Sequence, residues 1–135
     1  MFIILNLTHI KMKNMYGYIR ILLGILITIS GLNKFGNWIN VSVMHDALTF
    51  IGDLVSIKGG FIVTSIAFVE IAIGILMLLN RFTLVAALAL LPLIISILLF
   101  HIFLDLNGIA IAVFVLALDL YLILAYREKI AVLIK

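Results

Sequence analysis

Six ionisable side chains sit inside or at the ends of long apolar runs: Arg20, Lys34, Glu70, His101, Asp105 and Asp119. In hydrocarbon such a group costs about 3 kcal/mol on insertion scales unless it meets protein or water, so these residues carry the chemical information in the chain. At about 1.5 Å per residue, Arg20 lies roughly 6 Å inside one boundary, Asp119 roughly 10 Å and Glu70 roughly 15 Å. Those depths predict a buried network of Arg20 with Glu70 and Asp119, in which a bidentate guanidinium neutralises carboxylates that are otherwise unpaired. Two readings of the network stand: it fixes helix register, or Glu70, as the deepest carboxylate, handles protons.

Near the opposite boundary His101 and Asp105 are four residues apart, which puts them on one helical face, and Lys34 ends the first apolar run at a similar depth. Phe35, Phe100 and Phe103 are close enough in sequence to line a pocket there. Donors beside aromatic surface suit a quinone headgroup or another small carbonyl compound. The plainer reading is an interfacial His–Asp pair at a helix end. Haem is not expected, because bis-His ligation needs a second intramembrane histidine and only His101 lies in a span. With no cysteine, iron–sulfur clusters and disulfides are excluded. A metal set drawn from His45, Asp53, His101 and Asp105 has no diagnostic spacing, and none is expected. The chain carries no phosphate-binding glycine loop and no nucleophile elbow.

The elements that must position these groups are helices. Apolar runs predict spans at about 16–35, 61–80, 82–104 and 109–126, each long enough for a bilayer. Asn80 and Arg81 are the only polar break between the second and third spans, and residues 105–108 separate the third from the fourth, so both connections are tight hairpins. Residues 1–14 read as a poorly specified leader, with Met12 and Met15 as alternative starts. In the long connection, Met44, Ala47, Leu48, Ile51, Leu54 and Val55 recur at helical spacing opposite Ser42, His45, Asp46, Thr49 and Asp53, predicting an amphipathic interfacial helix at about 42–56. It either caps the bundle or acts as a lid. Gly17, Gly24 and Gly31 repeat every seven positions, and Ala67, Glu70 and Gly74 form a similar stripe, so close backbone approach is expected along those faces. Pro92 bends the third span, with Ser96 placed to serve nearby backbone.

Composition agrees with this reading: 135 residues, 67% hydrophobic and 11% charged, provide too little polar surface for a soluble globule. The expected fold class is an all-α, single-domain integral membrane four-helix bundle. Lys11, Lys13, Arg20, Arg81, Arg127, Lys129 and Lys135 fall on one side against Lys34 and Lys58 on the other, which predicts both termini in the cytoplasm. Positive charge scattered at span ends speaks for orientation and against nucleic acid. Lipid is the obligatory neighbour, and four short helices with little internal core favour a homo-oligomer.

Arg20, Gly24, Gly31 and Lys34 in RILLGILITISGLNKF, followed by VEIAIGILMLLNRFTLVAALALLPLIISILLFHIFLD with Glu70, Asn80-Arg81, Pro92 and Phe100-His101 in order, resemble the DoxX family of small bacterial membrane proteins. The resemblance runs from about Tyr16 to Glu128. LDLYLILAYREK also fits, with Asp119 where a glutamate is expected, and the shorter carboxylate has less reach toward Arg20. What the resemblance implies is a four-helix bacterial inner-membrane protein. For some relatives it also implies membership of redox assemblies, in quinone-linked sulfur oxidation or protection against oxidative stress. Without cysteine or a cofactor motif, a redox role here requires a partner protein, a quinone or both. Against that accessory-subunit reading stand a small proton-coupled transporter built on Glu70 and Arg20, and a structural or assembly protein.

Overall fold

The structure, a computed structural model of the chain, describes residues 1–36, 38–39, 49–53 and 60–126. Its long helices are α1 (Phe2–Gly36), α2 (Phe61–Leu78), α3 (Thr83–Phe103) and α4 (Ile109–Ala125), the last entered through a 3-10 turn at Leu106–Gly108. Among the described residues, four stretches are long and apolar enough to cross a membrane: Met15–Gly36, Phe61–Leu78, Thr83–Phe103 and Leu106–Ala125. Among the described residues there is no strand, and the chain is an all-α, multi-pass membrane protein.

The span boundaries agree with the hydropathy reading to within about one turn. The leader does not: residues 2–14 continue α1 as unbroken helix, since no proline or glycine interrupts the run before Gly17. The amphipathic helix expected at about 42–56 lies largely outside the described residues. Its described part, residues 49–53, is helical, and the Phe50 ring lies 5.8 Å from that of Phe100. Beyond the end of α1, the Ile39 amide donates to the Asn33 side chain at 2.8 Å and the Ile39 carbonyl accepts from it at 3.2 Å.

Each hairpin has a local cause. At the end of α2 the Asn80 amide donates to the Met77 carbonyl and the Arg81 amide to the Leu76 carbonyl, with Asn80 left-handed at φ 53°. This is a Schellman closure using asparagine in place of glycine. Phe82 is also left-handed, at φ 53°, an uncommon conformation for a bulky residue. Asp105 is extended and its carboxylate accepts from the Asn107 amide at 3.2 Å, which starts the turn into α4. Within α3, Ser96 Oγ donates to the Pro92 carbonyl at 2.9 Å, back-bonding the turn beside the proline.

α1 packs chiefly on α2, and α3 on α4. The α1–α2 seam is a glycine seam. A Cβ on Gly31 would come within 2.8 Å of the Ala67 carbonyl oxygen, and one on Gly74 within 2.8 Å of both the Gly24 carbonyl oxygen and the Thr28 amide. Gly24, Gly31 and Gly74 therefore let the two backbones touch. Gly17 does not share this role, because nothing lies within 4 Å of a Cβ placed there. The antiparallel register explains the difference: with Gly24 opposite Gly74 and Leu78, two further turns along α1 pass beyond the end of α2. Leu23, Ile27, Ile73, Met77, Ala86, Ala87, Leu90, Ile94 and Leu122 form the core shared by the helices.

Candidate functional site

The glycine seam decides which polar groups meet. A Cβ on Gly31 would lie 3.1 Å from that of Glu70, so Lys34, one turn further along α1, reaches over the Glu70 carboxylate. Lys34 Nζ is 2.6 Å from Glu70 Oε2 and donates to Ser30 Oγ at 3.2 Å. Glu70 is fully buried, whereas the Lys34 side chain is 28% exposed, so an ammonium on a long stem reaches from the helix end into the bundle.

The predicted network of Arg20, Glu70 and Asp119 is therefore replaced by other pairings. Arg20 donates through Nη1 to the carbonyls of Met77 and of Leu78, the latter at 3.2 Å. These carbonyls close the last turn of α2, where the helix dipole is negative, so the guanidinium caps α2 from α1. The register sets Arg20 beside Met77 and Leu78, about two turns along α2 from Glu70. Asp119 is fully buried on α4, and neither carboxylate oxygen has a hydrogen-bond partner among the described residues.

Lys34, placed with Glu70, does not join His101 and Asp105 as expected. Those two do meet, through ring and backbone: His101 Nδ1 lies 2.9 Å from the Asp105 carbonyl oxygen. The His101 ring packs directly on Gly108, where any Cβ would overlap it. Asp105 is buried, and its Oδ2 has no partner among the described residues. Phe100 stacks edge-on against His101 at 5.4 Å, while Phe35 turns to Phe68 at 5.3 Å. The metal combination involving His45 falls partly outside the described residues.

Two contacts escaped the sequence reading, that of Tyr16 with Tyr126 and that of His101 with Gly108. Tyr16 and Tyr126, read only as interfacial rings, bring their hydroxyls together, with the rings edge-on at 5.2 Å. They join the first span to the end of the last, next to a cavity of about 280 Å³ lined by Asn80, Phe82, Thr83, Leu84, Val85 and Tyr126. Thr28 bonds back to the Gly24 carbonyl at 2.7 Å and packs on Gly74. Gly108 makes room for His101; its place after Asn107 signalled a turn but not a contact with a ring.

The residues thus fall into two groups along the bundle. One end holds Tyr16, Arg20 and Tyr126, and the other holds Lys34 with Glu70 and, separately, His101 with Asp105. A family model described as DoxX matches residues 17–103, well over half of the chain, including Arg20, Lys34, Glu70 and His101. No curated protein and no solved structure matches.

Proposed function

The chain belongs to the DoxX family, and from that premise we propose that it is an accessory or anchor subunit of a membrane redox system, quinone-linked or protective against oxidative stress. In this reading it resides in a bacterial inner membrane with both termini in the cytoplasm. The observation that carries the reading is how the polar groups are used. Arg20 caps α2, Lys34 pairs with Glu70, and Tyr16 meets Tyr126, so each ties α1 to another helix. A bundle pinned in this way is a scaffold. Only 22–28% of the apolar stretch of each span is buried within the chain, which leaves broad apolar surface for lipid and for partner helices.

The reading puts quinone or partner contact at the corner formed by His101 and Asp105, where the ring is half-buried and Asp105 Oδ2 lacks a partner among the described residues. Support for the orientation comes from Arg20 and Arg81, which lie at the end of the bundle opposite Lys34.

Extraction of the chain with its native lipid, followed by identification of bound quinone and proteins, tests the proposal. A co-purifying oxidoreductase subunit, with quinone lost in His101→Ala, is the expected result. Solute uptake into liposomes that depends on Glu70 would instead make the chain a transporter. Recovery without quinone, partner or uptake would leave an assembly role in place of a redox one.

A further inference from the structure

Among the described residues, three carboxyls are buried, and two have donors: Glu70 has Lys34, and Asp105 has the Asn107 amide. Asp119 has none on either oxygen, although its side chain is wholly enclosed. A carboxyl in that position makes no hydrogen bond that would orient a neighbour, so helix register is not its task. Asparagine or leucine would fill the same place without bringing an ionisable group into the membrane. What an enclosed, unpartnered carboxyl does have is an unmet capacity to bind something positive.

The surroundings narrow the choice. A metal ion takes several oxygen or nitrogen ligands, and no three His, Asp or Glu side chains come together among the described residues. A proton needs one carboxyl. On the elements packed against α4, the titratable groups within the spans are Tyr16, Tyr18, Arg20 and Lys34 on α1 and His101 on α3; α4 itself adds Tyr121 and Tyr126. Lys34 is committed to Glu70, and Arg20 to the α2 carbonyls. The hydroxyl pair of Tyr16 and Tyr126 stands between Asp119 and the nearer boundary, two turns from Asp119 along α4, or about 10 Å. Arg20 Nε, likewise buried and unpartnered among the described residues, lies on the same side.

We infer that Asp119 is a proton-binding site inside the membrane-spanning bundle, exchanging one proton with water at the Tyr16–Tyr126 end. Binding transfers a proton from water to one carboxylate oxygen and removes the negative charge of the group; release returns it, and no oxidant or reductant takes part. The site is separate from Glu70 and does not rest on the redox reading of the chain.

Dicyclohexylcarbodiimide tests this directly, because it adds to a carboxyl together with its proton, forming an N-acylurea that retains every atom of both reactants. The intact chain in lipid vesicles is treated across a series of buffers, and its peptides are weighed. The adduct is expected on the peptide containing Asp119, falling as the buffer becomes more alkaline, absent in Asp119→Asn and retained in Asp119→Glu. Glu70, held by its lysine, should stay unmodified. Infrared difference spectra of the unsubstituted chain carrying isotope-labelled aspartate supply a second readout, a protonated-carboxyl band that shifts in heavy water. An unlabelled Asp119, labelling indifferent to pH, a band that does not exchange, or protection by sodium ions would each overturn the inference.

Discussion

Lys34 Nζ lies 2.6 Å from Glu70 Oε2, one turn beyond the point where Gly31 lets α1 touch the Glu70 stem. The contact and the ion pair are one feature. Without a glycine at position 31 the helices stand further apart, and the ammonium no longer reaches a carboxylate that the surrounding bundle hides. Breaking the pair from one side is therefore costly: Lys34→Met should lower stability by about 3 kcal/mol, because it strands Glu70 without a counter-charge. Replacing both, as Lys34→Met with Glu70→Leu, should recover most of that loss, and a double-mutant cycle of unfolding in detergent or lipid measures the coupling.

Glycine substitutions should separate seam from surface. Gly31→Ala and Gly74→Ala each force a Cβ onto opposing backbone, at a cost of about 1–3 kcal/mol from overpacking. Gly17→Ala meets open space and should be neutral or stabilising by up to about 1 kcal/mol through helix propensity. Thermal unfolding of the three variants gives the ranking; equal losses at all three would disprove the seam.

Arg20 should act as a cap on α2. Arg20→Ala removes the charge at the negative end of α2 together with its bonds to the last-turn carbonyls, a loss of about 1–3 kcal/mol. Its signature is local: amide exchange should quicken in the last turn of α2 and at Asn80–Phe82, with little change around Glu70. Quickened exchange centred on Glu70 would instead restore the pairing of Arg20 with that carboxylate.

The four spans were legible in the sequence because hydropathy and hairpin chemistry are local properties; Asn80-Arg81 and Asp105–Gly108 mark their own turns. Partnership was not. Depth along each helix placed Arg20 within reach of Glu70, but partnership depends on the sliding register between helices, which the packing of Gly24 and Gly31 on α2 sets. Lys34 was assigned to His101 by depth, yet its long stem bends toward α2. For Asp119 the sequence predicts burial with a partner, and the structure buries it without one among the described residues, because a sequence shows that a carboxylate needs a counter-ion but not whether a neighbouring helix supplies one. The Tyr16–Tyr126 contact joins residues 110 positions apart, beyond any local pattern.

Membrane orientation can be read by thiol labelling, since the chain contains no cysteine and single ones can be introduced without background. Trp38 and Arg81 are exposed at opposite ends of the bundle. A membrane-impermeant maleimide added to intact cells stripped of their outer barrier should modify Trp38→Cys and spare Arg81→Cys until the membrane is opened. The reverse pattern would place the termini outside.

The redox role is tested most directly by the rate at which isolated membranes reduce quinone, compared between cells with and without the chain. The account predicts that the rate falls when the chain is absent and returns on complementation, while the purified chain alone reduces no quinone. An unchanged rate in membranes lacking the chain, or quinone reduction by the purified chain without a partner, would contradict it.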